Sequence, residues 1–283
     1  MLPKVELSKV RSLGEIVDDS ILFLKQNYKP LFKSYFAICG FFWVAGLIIS
    51  IFNQTSGAQL QDQSEQFTSP SFLLSVLFGL LNFVMITITC LSFIVLYKEK
   101  GNESPSVAEV WAYVQYYLLR AFGTTVMLVL ILALGIVCCI IPGIYFAPIF
   151  MLILTVMIME NGGGVYSFNR AFLLIKNNWG QVFGVLVVMM LLVLASIMLI
   201  SIPIVIVVMG ILFFTHVNHP QTQALSISIS LYSIQFLYML PIIAIALAYY
   251  SLNEIKDDNS LMQRIRMLGK NTEDADDLPL EEY

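Results

Sequence analysis

From Gly180 to Phe214 the chain runs for 35 residues without a single Asp, Glu, Lys or Arg. About 20 apolar residues already cross the hydrocarbon of a bilayer, so an uncharged run of this length points to membrane rather than to a soluble core. It is preceded by a helix breaker, Glu160-Asn161-Gly162-Gly163-Gly164, and by an amphipathic segment that carries Arg170 and Lys176 and leads to Trp179. Those pieces describe a surface helix that turns straight into a span. The whole chain follows suit: 12% of its 283 residues are charged, 58% are hydrophobic and the mean hydropathy is +0.82, whereas soluble domains are about 25% charged. The sequence therefore predicts an all-α integral membrane protein. Nucleic acid is not indicated as a partner, because the net charge of −4 arises from segregated charges, with six acids in the last thirteen residues.

Apolar runs and their breakers divide the chain into an interfacial amphipathic segment at 1–30, a six-helix membrane domain at 31–252 and a polar tail with an acidic end at 253–283. The expected spans are about 31–52, 71–97, 120–141, 144–159, 180–202 and 224–252. Pro30 is expected to separate the first amphipathic helix from span one, and Pro142-Gly143 to form a tight turn between spans three and four. Pro203 is expected to end span five, leaving 203–214 as an interfacial or re-entrant piece. Ser12 with Glu15, and Ser106 with Glu109, have the spacing of capping boxes. The second of these opens a short aromatic-rich helix ahead of span three. Charge sets the topology: all 15 Lys and Arg fall before span one, between spans two and three, between four and five, or after six, counting Lys33 and Arg120 at the very starts of spans one and three with the segments they follow. Both termini are then cytoplasmic by the positive-inside rule, and a seventh span is rejected because it would put Lys256, Arg264, Arg266 and Lys270 outside.

Lys25-Gln26-Asn27-Tyr28 with Phe32 recurs as Lys176-Asn177-Asn178-Trp179 with Phe183, while Gln115, Leu118 and Phe122 give a fainter middle copy. The spacing predicts parallel internal repeats of amphipathic helix, span out and span back. An amine for lipid phosphate, an aromatic at headgroup depth and an apolar anchor below make Lys25, Tyr28, Phe32, Lys176, Trp179 and Phe183 candidate interfacial anchors, with partner contact as the other reading. Gly180 with Gly184, and Ser226 with Ser230, have the four-residue spacing of close helix packing. Ser228, Tyr232 and Gln235 line a second face of span six, and the polar faces of this span serve either packing or a substrate path.

Pro142-Gly143-Ile144-Tyr145, Glu160, Ser167-Phe168-Asn169-Arg170-Ala171-Phe172, Trp179 through Phe183-Gly184, and Tyr249-Tyr250-Ser251-Leu252 together resemble the membrane domain found fused to glycerophosphoryl diester phosphodiesterases. They are also similar to stand-alone bacterial inner-membrane proteins of about six spans. The resemblance covers about residues 110–255. It implies a multi-pass bundle in the cytoplasmic membrane of a bacterium. It does not imply the phosphodiesterase, which resides in a separate soluble barrel.

Little chemistry is offered elsewhere. His216 and His219 are the only histidines and have no nearby carboxylates, which favours a solvated loop over a metal site. Gly162-Gly163-Gly164 lacks the Lys-Ser/Thr of a phosphate loop. Cys39, Cys90, Cys138 and Cys139 lie in apolar runs as small hydrophobes. No charged residue falls near the middle of an expected span, which argues against ion-coupled transport. No catalytic constellation, cofactor or metal is expected. The sequence points instead to a non-enzymatic scaffold, assembly or regulatory subunit that presents a cytoplasmic surface to a cytoplasmic or membrane partner. The alternative is a carrier or channel for an uncharged or lipid-like molecule, with Asn82, Thr87, Thr89, Ser92 and the serines of span six as its polar groups.

Overall fold

A computed structural model of the chain describes residues 4–57, 69–138, 140–215, 228–229, 232 and 235–257. Among the described residues there are helices and no strand: α1 (Leu13–Gly57), α2 (Pro70–Glu99), α3 (Val107–Cys138), α4 (Ile140–Met159), α5 (Gly164–Ile175), α6 (Trp179–Thr215) and, after a 3-10 turn at Gln235–Tyr238, α7 (Met239–Asp257). Hydrocarbon offers no partner to a peptide group, so a segment that crosses it as a helix bonds every N–H to its own chain.

The helix starts follow local chemistry. Ser12 N–H donates to Glu15 Oε2 at 2.8 Å and Glu15 N–H donates to Ser12 Oγ at 3.4 Å. Ser106 and Glu109 repeat the arrangement at 2.7 and 3.4 Å. Both glutamates stand in the first, charged turn of their helices, ahead of the apolar stretch. The Ser12 backbone N–H foremost holds the Glu15 carboxyl down at about 2; for Glu109 the Lys100 ammonium does so first, also to about 2. Ser69 caps α2 by accepting from Phe72 N–H at 3.3 Å, and Pro70 follows where a helix loses nothing by lacking an N–H. Replacing Ser106 with alanine is expected to cost about 1 kcal/mol. Thermal unfolding in detergent checks this, with Ser106→Asp restoring the midpoint; an unchanged midpoint for the alanine variant counts against a working cap.

The prolines do not cut the chain as expected. α1 runs unbroken for 45 residues with Pro30 inside it, and α6 for 37 residues with Pro203 inside it. Residues 203–214 are thus the continuation of α6, neither a separate interfacial helix nor a re-entrant piece. Pro142 and Gly143 lie within the first turns of α4 rather than in a turn between helices, and the helix after Ser106 is continuous with span three. A proline forfeits one backbone bond, but a break at membrane depth would strand several peptide groups, so the helix continues through it.

Among the described residues five helices are long and apolar enough to cross a membrane, and the pair α4 and α5 makes a sixth if it is taken as one span bent by 119°. The bend is set between the helices, where Asn161 takes a φ of 50° and a Cβ on Gly162 would sit 2.4 Å from the Tyr166 ring. The helix of the sixth expected span is described as far as Asp257, past 252. Of its first part only 228–229 and 232 are described, all helical.

α2 and α7 form the centre of the bundle. Of their most apolar stretches 78% and 72% are buried, against 22% for α1 and 17% each for α3 and α6. Polar side chains concentrate at that centre, with Asn82, Thr87, Thr89 and Ser92 of α2 and Ser251 of α7 all buried, while Phe41, Leu119, Val137 and Leu199 point outward. Lipid tails are as apolar as leucine, so the outer faces gain nothing by hiding, whereas hydroxyls and amides find partners only inside. α1 grips the outer part of the last span at Ser50 Oγ and Ser228 Oγ, 3.2 Å apart, and through Trp43 Nε1–H, which donates to the Tyr232 carbonyl at 2.9 Å. Gly46 permits this approach, because a Cβ there would lie 2.7 Å from the Tyr232 hydroxyl. Gly46→Leu is therefore expected to destabilise by about 1–3 kcal/mol through overpacking. A drop in the melting midpoint that Tyr232→Ala reverses in the double variant checks it; no drop would place Tyr232 elsewhere.

Candidate functional site

The described charged residues gather at one end of the bundle, and two networks organise that end. The first is built on Arg11, whose side chain is wholly buried. Its Nε–H donates to Asp19 Oδ2 at 2.7 Å, one terminal nitrogen donates to the Leu7 and Lys9 carbonyls at 2.9 and 3.1 Å, and the other donates to the Glu6 carbonyl. The five donors of a guanidinium suit this role, since the segment before α1 wraps around them. The backbone of the same residue then ties that strap to two distant helices. Arg11 N–H donates to Ser251 Oγ of α7 at 2.9 Å, and Gln181 Nε2 of α6 donates to the Arg11 carbonyl at 2.7 Å. Val5 and Leu7 are buried beneath the strap.

The second network is centred on Glu160, just beyond α4. Its Oε1 accepts from Arg170 Nε at 3.1 Å and from Tyr249 Oη at 2.9 Å, and its Oε2 from Tyr166 Oη at 2.6 Å. Arg170 also donates to Asn253 Oδ1 at 2.7 Å, and Arg120 to Asn161 Oδ1 and the Gly162 carbonyl at 3.4 and 3.3 Å. One carboxylate thereby joins α4, α5 and α7. Glu160 and Arg170 keep only 17% and 20% of their side-chain surface, so the pair is shielded from the screening that weakens surface ion pairs. With three donors on its two oxygens, this carboxylate is a clamp.

The expected anchors fall in unequal surroundings. Lys25 and Tyr28 are exposed on α1, with the Lys29 ammonium 5.8 Å from the Tyr28 ring, and Phe32 packs on Phe236 at 5.3 Å. Lys176 is exposed at the end of α5. Trp179 is sandwiched between Tyr145 at 5.4 Å and Phe183 at 4.7 Å, both planes within 11° of its own, and its indole N–H donates to the Tyr145 carbonyl at 3.1 Å. The first copy of the repeat motif thus lies within an unbroken helix, while the second straddles the joint between α5 and α6. Gly184 sits where a Cβ would meet Leu13 at 2.6 Å, but a Cβ on Gly180 would meet nothing within 4 Å, so Gly180 does not make the close approach its spacing suggested. Ser226, Ser230, His216 and His219 lie outside the described residues, as do Cys139 and the tail from 258. Among the described residues no group of three His, Cys, Asp or Glu side chains could hold a metal.

Sequence reasoning counted Arg11 only as a topology signal. Its partners Ser251 and Gln181 are 240 and 170 positions away, and nothing local announces them.

Deeper in the bundle α2, α4, α6 and α7 line a cavity of about 360 Å³, bordered by Phe83, Ile86, Met151, Met190 and Ile242 and by the exposed Gly79. Gln235 and Tyr238 supply its polar groups. Behind Gln235 lies Asn82, fully buried, whose Nδ2 donates to Gln235 Oε1 at 3.2 Å. Both amides were legible as polar residues in apolar runs. Their pairing across 153 positions was not.

An all-helical bundle with lipid-facing apolar exteriors, polar groups turned inward and charge collected at one end is a membrane-embedded protein of the multi-span helical class. No family model matches the chain, and neither the curated proteins nor the solved structures include a significant match.

Proposed function

We propose that this protein is a non-enzymatic multi-pass scaffold, assembly or regulatory subunit of a bacterial cytoplasmic membrane, with its charged end and both termini in the cytoplasm. The observation that carries the reading is the way polar chemistry is used at that end. Arg11 and Glu160 are spent on fixing the strap, α4, α5, α6 and α7 relative to one another, while Lys25, Tyr28, Lys29 and Lys176 face outward. A surface held rigid before it meets a partner loses little entropy on docking. The orientation rests on the one-sided lysines and arginines. The resemblance to stand-alone six-span inner-membrane proteins fits this reading, because Glu160, Arg170 and Tyr249, all within the resembling motifs, meet in one cluster.

The test is recovery of a stoichiometric protein with the tagged full-length chain from native membranes in mild detergent. Lys25→Glu, Lys29→Glu and Lys176→Glu together are expected to abolish that recovery without changing yield or melting. Equal recovery from the variant, or no stoichiometric protein at all, counts against the proposal.

A further inference from the structure

We propose that the cavity between α2, α4, α6 and α7 is a binding site for an uncharged lipid, a molecule with a long apolar chain and a single carbonyl- or hydroxyl-bearing head. Its volume, about 360 Å³, falls in the range of small-molecule pockets, about 300–1,000 Å³. Its depth sets the medium: Asn82 precedes Lys98 on α2 by a distance of about 24 Å along the helix axis, well into the hydrocarbon. None of the lining residues is charged, so an anionic or cationic head there would be unpaired at membrane depth, which is costly.

Hydrogen-bonding capacity is nevertheless left over. The Asn82–Gln235 contact is one-sided: Asn82 Nδ2 donates to Gln235 Oε1, but the buried Asn82 Oδ1 has no partner and the Gln235 amide N–H₂ is not returned to it. Gln235 stands on the cavity wall, and its N–H₂ makes no bond to a described residue. A lipid carbonyl or hydroxyl satisfies that donor. The Tyr238 hydroxyl lies on the same wall as a second partner.

The backbone supplies an independent reason. A 3-10 turn at Gln235–Tyr238 lies beside the cavity, directly before α7 takes up regular helix at Met239. Irregular backbone at membrane depth persists where it is buried or lines a cavity. Met151 and Met190 make the opposing wall adaptable to a chain.

Gly79 provides the decisive variant. It lines the cavity, and a Cβ built on it meets nothing within 4 Å, so the backbone there admits a side chain, and leucine is the variant chosen to take up cavity volume. The full-length protein is reconstituted in phosphatidylcholine vesicles with a diacylglycerol carrying a diazirine and an alkyne on one chain. It is irradiated, and the labelled residues are mapped by mass spectrometry. The expected labels fall on Phe83, Ile86, Met151 and Met190 and are competed by unlabelled diacylglycerol. Gly79→Leu is expected to lower them by about tenfold or more, and Gln235→Leu by several-fold, with melting unchanged for both. The same photoreactive chain on phosphatidylglycerol is expected to label the cavity far less. Labelling unaltered by Gly79→Leu, equal labelling by the anionic probe, or labels spread evenly over the outward faces of α1 and α6 would overturn the proposal. If Gly79→Leu fails to fold, competition by unlabelled diacylglycerol decides. Partner recovery on the lysine variants is a separate readout, so the two proposals stand or fall apart.

Discussion

Arg11→Met is expected to be the most damaging single substitution at the charged end, costing about 3–5 kcal/mol, the range for removing one partner of a buried, hydrogen-bonded charge pair. Methionine keeps the length and apolar stem of arginine but none of its donors. The carbonyls of Glu6, Leu7 and Lys9 would lose their shared partner, and the Asp19 carboxylate its counter-ion. Asp19 retains 28% of its side-chain surface, so water compensates in part, which places the loss toward the lower end of the range. The strap should then loosen while the helices stay folded, because each span keeps its own backbone hydrogen bonds. Limited trypsin digestion reads this directly through cleavage after Lys4 and Lys9, which should accelerate by about a hundredfold for a loss of about 3 kcal/mol. Arg11→Lys is expected to behave much like the methionine variant, since an ammonium cannot reproduce the fan of contacts. Unchanged digestion in both would mean that the strap is held by the buried Val5 and Leu7 and by the Arg11 backbone bonds to Ser251 and Gln181, without the guanidinium.

The second large effect is expected at Glu160. Glu160→Ala removes the carboxylate that pairs with Arg170 and leaves Tyr249 as a buried phenol without its acceptor. An unsatisfied buried group costs about 1–3 kcal/mol and more when it is charged, so about 2–4 kcal/mol is expected here. The effect should be local first, because Tyr166 and Arg170 of α5 and Tyr249 of α7 meet on this one carboxylate. Amide hydrogen exchange across Gly164–Ile175 should rise well before exchange in α2 does. A double-mutant cycle with Arg170→Gln separates the pair from its surroundings: coupling of about 1 kcal/mol or more is expected between residues sharing one network. Additive losses would mean that Glu160 and Arg170 act independently.

The prolines show where reading along the chain stops working. Pro30 and Pro203 are helix breakers by the local rule, and each lies inside a helix, whereas Pro142 falls in the first turn of α4, where a missing N–H breaks nothing. That rule assumes water will receive the freed peptide groups, and at membrane depth it does not. The capping boxes behave oppositely. Ser12 with Glu15 and Ser106 with Glu109 were legible because four consecutive residues contain the whole interaction.

Glu160, Arg170 and Tyr249 stood out as members of motifs, but their meeting depends on a 119° bend and on α7 returning beside α4. The Asn82–Gln235 pair, the cavity it borders and the burial of Arg11 were beyond the sequence for the same reason. By itself the sequence determined that this chain is helical, apolar enough to live in a membrane, and charged in a few short segments, because each of these follows from the solvent preference of a continuous stretch of residues. Which helices stand at the centre, which polar groups pair and where space is left between them was decided only by tertiary packing. Lipid treats every apolar face alike, so the choice of inner face falls to contacts between residues that the chain keeps far apart.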